Sequence, residues 1–422
     1  FYFRESISWS YVSSGKPSFR FNPKGFIFDK AGSSLFVKEE SYSLNYILGL
    51  LNSQIITDVL KILSPTITFE VGELSRIPVN YAQNNIEPMV LKNIDLCKKD
   101  WDYKEISWNF SINPLLLYKK ENIEKSYNNY KDMKENMFNN QKINENEINR
   151  EFLEIYKFDK KPMQIEDKYI SIDLPTIEKE AKNLISYFIG CLFGRYSLDE
   201  YGIICASESY NFSKYSKFIP DKDNIVPILD TEYFSDDIVK SFEEFLKVTF
   251  SPETLEENMK FIANALGNKG KTYRETIRRY FLKDFFNDHK KMYKKTPIYW
   301  QFDSGKENGF KVLIYMHRYT PDTVARVRTD YLHPLQKALE TSISNNEQII
   351  INSTNSKEKT NATKENTKLK KQLEETRKYD EVLAHVANQQ IEIDLDDGVK
   401  HNYELFQNVE LGNKKINLLK KI

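Results

Sequence analysis

The alternation of apolar and polar positions divides the chain into stretches of different period. In the first eighty residues short aromatic and β-branched runs, Ser18 to Phe21, Gly25 to Phe28 and Ser34 to Val37, are separated by Gly, Pro and Asn, which predicts strands joined by turns. From Tyr42 to Leu63 the period changes. Leu44, Ile47, Leu48, Leu51, Ile55, Val59 and Leu63 recur every three or four residues, which predicts one amphipathic helix ending before Pro65. Residues 81–165 contain no glycine and are rich in Asn, Lys and Glu, yet Ile123, Tyr127, Tyr130, Met133 and Met137 keep a helical stripe. Long, largely solvated spacer helices are expected there.

Residues 166–333 are mixed: a helix from Thr176 to Phe193, acidic loops and short helices, a basic helical segment, and a hairpin. Its strands, Ile298 to Phe302 and Phe310 to Tyr315, are joined through Ser304-Gly305 and Asn308-Gly309. Over 334–393, Leu335, Leu339 and Ile343 stripe one helix, and Leu369, Leu373, Thr376, Tyr379, Leu383 and Val386 stripe a second. The polar stretch Asn352 to Thr363 separates them, so an antiparallel helical hairpin is expected, followed by a tail over 394–422. The expected fold class is α+β: a strand-rich recognition domain with one long helix over 1–80, a helical spacer over 81–165, a mixed α/β unit over 166–333, and the hairpin.

Charge changes the picture only when read locally. The 422 residues balance 61 Lys+Arg against 61 Asp+Glu, which taken alone argues against a polyanionic partner. From Lys269 to Arg328, however, 15 Lys+Arg stand against 6 Asp+Glu, and from Asp221 to Lys260 4 stand against 11. A basic block interleaved with Tyr273, Tyr280, Phe281, Phe285, Phe286, Tyr293, Tyr299 and Trp300 suits a surface that tracks phosphates. The same block would equally serve as a solvated face, or dock on the acidic block beside it.

Several chemistries are missing. The three cysteines, Cys97, Cys191 and Cys205, are far apart and form no CxxC, and the five histidines are scattered, so no disulfide framework and no metal site are expected. A cytoplasmic protein is the expectation. No apolar run reaches the length of a membrane span, and no membrane partner is expected. There is no Pro-Pro pair for an Asn/Asp-Pro-Pro-aromatic turn, no GxG, and no GxxxxGK[ST]; a cofactor site is therefore not expected in this chain. Asp288-His289-Lys290 is an isolated nuclease-like match, and Asp394 to Gly398 opens like a calcium loop but misplaces its glycine.

Longer phrases carry a resemblance. The runs FRFNPKGFIFDKAGSSLF and YILGLLNSQIITDVLKILSPTITFEVGELSRIPV resemble the target-recognition region of the adenine-specific DNA methyltransferases of BREX phage-defence systems, the PglX family. The pattern LLNS…PTxxFxxG…IPV also resembles TaqI-like and type IIG specificity domains. The resemblance to the PglX family continues through LISYFIGCLFGRYSLDEYGIICAS, the 281–319 segment and IEIDLDDGVKHNYELFQ, and so covers most of the chain. In that family the methyltransferase domain, with its S-adenosylmethionine loop and NPPY-type turn, precedes this region. The resemblance implies that this chain, which opens on Phe1, is the later part of a longer polypeptide whose whole transfers a methyl group to adenine N6.

The partners so implied are double-stranded DNA, the upstream methyltransferase domain, and other BREX proteins or phage-encoded inhibitors. For DNA contacts it points to Lys16, Ser18, Arg20 and Lys24 on the turns and strands of the first domain, and to Thr66, Thr68 and Arg76 around SPTITFEVG. Lys271, Arg274, Arg278, Arg279, Lys290, Lys291, Lys294, Lys295, Arg326 and Arg328 would contact phosphates. Asn52 and Ser53 are expected to cap or pack the helix, and Trp300 to fill the core. Two other readings stay open: an interaction scaffold that assembles defence proteins, and the recognition end of a type IIG enzyme that also cleaves.

Overall fold

The computed structural model describes the chain except residues 39–41, 64–66, 83–84, 160, 207–210 and 412–413. Its described part is α+β and divides into two compact units, Phe1–Lys104 with Tyr130–Pro175, and Glu105–Asn129 with Thr176–Ile422.

In the first unit three short strands, β1 (Ser6–Ser10), β2 (Phe19–Asn22) and β3 (Gly32–Leu35), form an antiparallel sheet in the order β2-β1-β3. The register sets Ile7 beside Phe21 and Leu35, and Trp9 beside Phe19 and Ser33. Because side chains alternate along a strand, these rows share one face. Ile7, Trp9 and Phe19 are buried there in one core with Tyr46, Leu50, Ile55, Ile86, Val90 and Phe152.

The single helix expected from Tyr42 to Leu63 is two, Leu44–Asn52 and Gln54–Leu63, bent by 68°. The break is built by polar groups that a count of apolar spacing does not see. Ser53 is extended (φ −68°, ψ 157°), and its hydroxyl donates to the Leu50 carbonyl at 2.6 Å. The Gln54 N–H, which would have continued the helix, donates instead to Asn149 Oδ1 at 2.7 Å. Asn52 turns back to the sheet: its Oδ1 accepts from Phe19 N–H and its Nδ2 donates to Phe19 C=O, both at 3.1 Å. One side-chain amide thus stands in for a neighbouring strand along β2. No single helix among the described residues is long and apolar enough to cross a membrane.

The Asn/Lys-rich stretch does not stand apart from the units. Its helix Ile123–Ile155 runs 33 residues and belongs to the second unit up to Asn129 and to the first from Tyr130. Tyr127 packs on Phe261 in one, and Phe152 meets Tyr46 edge-on in the other. Lys134 is buried against Asp100 in the first unit, an ion pair that composition read as solvated charge.

The second unit is centred on the helix Ile177–Leu192, capped by the Thr176 side chain, and on a sheet of order β4-β6-β5, with β4 (Val226–Pro227), β5 (Tyr299–Asp303) and β6 (Lys311–Tyr315). β5 and β6 form the expected hairpin, with Tyr299 opposite Tyr315 and Asp303 opposite Lys311. Asn224 repeats the device seen at Asn52, pairing with both backbone groups of Tyr315 at 3.0 Å. Trp300 is fully buried, its indole N–H donating to the Pro297 carbonyl, and the tail closes over it through Tyr403 and Phe406.

The expected helical hairpin is present as His333–Asn352 and Ser356–Ala387. Its turn is much shorter than the polar stretch suggested, because Asn355 caps the second helix by accepting from Lys357 N–H and Glu358 N–H. That helix is fixed by the β5–β6 loop, which wraps the Glu375 carboxylate: Ser304 Oγ, Glu307 N–H and Gly309 N–H donate to it at 2.7, 2.8 and 3.0 Å. Gly305 is left-handed (φ 138°), and a Cβ at Gly309 would lie 2.8 Å from the Gln372 carbonyl. Gly309→Ala should therefore cost about 1–3 kcal/mol through overpacking. Glu375→Ala should cost about 2–3 kcal/mol by orphaning two backbone donors. Urea midpoints test both; a Gly309→Ala protein as stable as the parent would show that the loop does not hold the helix this closely.

Candidate nucleic-acid interface

The first unit offers one polar sheet face. Opposite the core side of β1–β3, Ser8 lies beside Arg20 and Ser34, and Ser6 beside Asn22, whose amide donates to the Ser6 hydroxyl. Arg20 is exposed, and its charge helps hold down the carboxyl of Glu145 and the thiol of Cys97, both of which burial pushes up. Ser18 is exposed at the entry to β2 and Lys24 in the turn after it. Lys16 sits over the Tyr169 ring at 4.1 Å, a cation–π contact that holds an otherwise free turn lysine. Thr68 forms an isolated bridge with Val12 and is half-buried, Arg76 is exposed after the short helix Val71–Leu74, and Thr66 lies outside the described residues. The sequence reading named Arg20 but missed Ser8, Asn22 and Ser34, although the two-residue alternation around Ile7 and Trp9 signals that face.

The basic segment of the second unit sorts into two classes. Its helix runs from Tyr273 to Met292 with one wider turn at Phe281–Phe285. Arg278 makes a bidentate pair with Asp237 at 2.6 and 2.9 Å and also donates to the Leu229 carbonyl; the two side chains are 15% and 4% exposed. Arg274 joins Glu243 and Glu256. Arg326 pairs with Asp223 and Asp330, and Arg328 with Asp380 at 2.7 Å. Four of the expected phosphate contacts are thus already engaged, three of them with carboxylates of the acidic block. Docking of the two blocks on each other, one of the alternatives the sequence left open, accounts for these residues.

The other class is free of carboxylates. Lys271, Arg279, Lys291, Lys294 and Lys295 are exposed and Lys290 is half-buried, and among the described residues none of their side-chain charges has a carboxylate within 4.0 Å, although the Lys271 backbone N–H donates to Glu275 at 2.7 Å. Lys290 to Lys295 close the helix end, where Lys295 N–H donates to the Lys290 carbonyl at 2.8 Å. Lys294 and Lys295 are both left-handed, at φ 50° and 67°, a conformation that glycine or asparagine adopts more readily.

His289, part of the nuclease-like match, is no catalyst in this setting. It is buried, and its Nε2 accepts from both Ile298 N–H and Tyr299 N–H at 3.1 Å, anchoring the start of β5. Near the acidic block a cavity of about 610 Å³ is lined by Phe218, Asp221, Asp223, Phe234, Asp236 and Tyr331, whose hydroxyl donates to Asp223 and Asp236. Burial, and then the neighbouring Asp223, push the Asp221 carboxyl up to about 8.

No family model matches the chain. Over 96% of its length it is 41% identical to the adenine-specific methyltransferase PglX of Lacticaseibacillus casei (strain Zhang), and over 96% it is 36% identical to the adenine-specific methyltransferase BrxX of Escherichia coli O9:H4 (strain HS). The chain resembles part of an adenine-specific methyltransferase. It spans only 34% and 36% of those two relatives.

A methyl donor of the S-adenosylmethionine type does not fit the residues present. Every described sheet is antiparallel, so no strand–turn–helix crossover presents backbone N–H groups to a cofactor. The close-packed glycines Gly190, Gly270 and Gly309 face Tyr196, Glu275 and Gln372 of the chain itself.

Two histidines, His289 buried and His317 half-buried, make stability depend on acidity. Burial, and then Arg195, push His289 down to about 3 and His317 to about 4. Unfolded, both bind protons below about 6.5, so the native state, fully favoured above that value, loses stability as pH falls from about 6.5 towards 3. The urea midpoint of the parent relative to that of His289→Gln should fall as pH is lowered from 7 to 4.5. Asp221 acts in the opposite sense: its raised carboxyl makes stability decline as pH rises towards 8, and Asp221→Asn should flatten that decline.

Proposed function

We propose that this chain is the DNA-recognition and positioning part of a site-specific adenine-N6 DNA methyltransferase of BREX phage defence. The observation that supports it most is the lysine cluster Lys290, Lys291, Lys294 and Lys295, which has no carboxylate partner among the described residues and includes two left-handed positions. Non-glycine residues in that conformation cost stability and concentrate at functional sites. Four cations at one helix end suit the phosphates of a duplex, with Arg279 on the same helix and Lys271 just before its start adding to the contact. Lysines near a helix C-terminus also favour its dipole, which offsets part of the cost.

The polar face of β1–β3 is the proposed base-reading element. Arg20 has the two-donor geometry that matches a guanine edge, and Ser8, Asn22 and Ser34 supply adaptable donors and acceptors beside it. Lys16, Ser18, Lys24, Thr66, Thr68 and Arg76 are proposed to fix that face on the backbone. Arg274, Arg278 and Arg326 hold the acidic block in place, Arg328 holds Asp380 of the Ser356–Ala387 helix, and all four act on DNA only through the fold. A base-modifying enzyme must take its target out of the stack, and this part would hold the duplex while the remainder of the parent protein, carrying S-adenosylmethionine, does the chemistry.

A second reading is supported by the cavity lined with Asp221, Asp223 and Asp236, whose apolar walls Phe218 and Phe234 suit a partner protein of the defence system or a phage inhibitor. Charge reversal separates the two. With the intact protein, Lys291→Glu, Lys294→Glu and Lys295→Glu together should abolish or severely weaken duplex binding, while assembly with partner proteins persists. The unaltered protein should bind duplex with a steep salt dependence, log K falling by about 0.9 for each phosphate contact per tenfold rise in salt. Binding that ignores salt, or that survives the triple reversal, would count decisively against the DNA reading.

A further inference from the structure

The helix Ser356–Ala387 carries lysines at Lys357, Lys364, Lys371 and Lys378, a seven-residue interval that sets them in one line along a helix. The threonines Thr360 and Thr367 fall between them on the same line, three residues after Lys357 and Lys364. Lys357, Thr360, Lys364, Thr367 and Lys371 are all exposed. The helix buries the opposite side, Ala362, Asn366, Leu369 and Leu373, so the line faces away from the protein.

The charges along it are uncompensated. Among the described residues Lys357, Lys364 and Lys371 have no carboxylate within 4.0 Å; Lys368, one turn from Lys364 and from Lys371 on the same side, reaches Asp230, and Lys370 is paired with Glu347. The acids nearest the line are engaged elsewhere: Glu358 accepts from Ser353 in the turn, and Glu365 holds Lys368. Only Lys378, at the far end, has an acid of its own, Glu374. Thr360 and Thr367 donate to backbone carbonyls one turn back, leaving their oxygens as small polar spacers.

We propose that Lys357, Lys364 and Lys371 form a second phosphate-contacting surface for duplex DNA, separate from the lysine cluster at Lys290 to Lys295. The inference rests on the DNA reading given above and extends it. At a rise of about 1.5 Å per residue the lysines are spaced by about 10 Å, close to three base-pair steps along a duplex. Each cation thus meets a separate phosphate. The surface adds affinity without sequence preference. Its lack of apolar residues separates it from a membrane-binding face, which needs a hydrophobic side.

The test uses the intact protein with Lys357→Gln, Lys364→Gln and Lys371→Gln combined. All three positions are exposed, and an unchanged urea midpoint verifies the fold. Titration with duplex across a salt series should show the slope of log K against log salt reduced by up to about three, with weaker binding to every sequence and unchanged preference among sequences. The matching Lys→Arg triple should retain the parent slope. An unaltered slope and affinity in the Gln triple, while Lys291→Glu/Lys294→Glu/Lys295→Glu still loses binding, overturns this inference alone. Absence of duplex binding by the parent protein overturns both it and the reading beneath it. Loss of binding to anionic phospholipid vesicles with duplex binding intact overturns it in favour of a lipid surface.

Discussion

The second unit depends on what the β5–β6 loop does to one carboxylate. Glu375 lies on the Ser356–Ala387 helix, and three donors of the seven-residue loop between β5 and β6 converge on it. An anion in such a cage replaces its water with protein N–H and O–H groups, and charge-assisted bonds are stronger than neutral ones. The cage works only because Gly305 and Gly309 let the loop backbone approach the helix, at distances where a methyl group would collide. Lys311, in the strand that follows, is drawn inward by the same loop: its ammonium donates to Asn308 Oδ1 at 2.6 Å and to the Leu282 carbonyl at 3.1 Å. The hairpin, the basic helix and the C-terminal helix are thereby one hydrogen-bonded assembly. The outward face of the helix is fixed by what its inward face holds.

How much of this was readable in advance follows from the kind of force involved. Burial of apolar stripes is a property of spacing, and it was legible: Leu335, Leu339 and Ile343, the Leu369 to Val386 series, the helix from Thr176 and the Asn-Gly hairpin all stand where the pattern put them. Polar substitutions for backbone partners were not legible. Nothing in the spacing around Asn52 or Asn224 says that one amide will complete a strand edge, nor that Ser53 will end a helix whose apolar stripe continues past it. The length of the turn before Ser356 was missed because a polar stretch reads as loop, whereas the Asn355 cap makes it helix from the next residue. Solvated composition misled for the same reason at Lys134, whose pairing with Asp100 depends on a contact between distant segments.

The candidate site shows the same division. A local surplus of cations was legible from counting, but counting cannot tell a cation that meets solvent from one that meets Asp237. Arg278 is the clearest case. Removing one member of a buried pair costs about 3–5 kcal/mol, because the partner charge stays behind without water, so this arginine acts on the fold before it could act on any ligand. The lysines from Lys290 to Lys295 differ from it in burial and in side-chain length, not in charge. Among these cations Arg274, Arg278, Arg326 and Arg328 use the planar guanidinium to hold carboxylates in fixed geometry, whereas Lys290, Lys291, Lys294 and Lys295, flexible point charges, hold none.

That distribution bears on how such a chain could contribute to methyl transfer without touching the methyl group. An enzyme that modifies a base within a duplex must hold the backbone on both sides of a disturbed step, because unstacking costs energy that has to be recovered in contacts elsewhere. Phosphate contacts recover it at any sequence, whereas base contacts recover it only at the right one. On the proposed reading, flexible lysines would satisfy the first requirement, since they tolerate a backbone that shifts as the base leaves. On the same reading, a sheet face with an exposed arginine beside a serine would satisfy the second, since strand geometry fixes the spacing of donors. Arg20 is held at both ends of its strand neighbourhood, by the Ser8 and Ser34 register on one side and by the Asn52 amide on the adjacent Phe19 backbone. Sequence preference would thus depend on a helix break at Ser53 that no base ever meets, because that break is what turns Asn52 towards the strand.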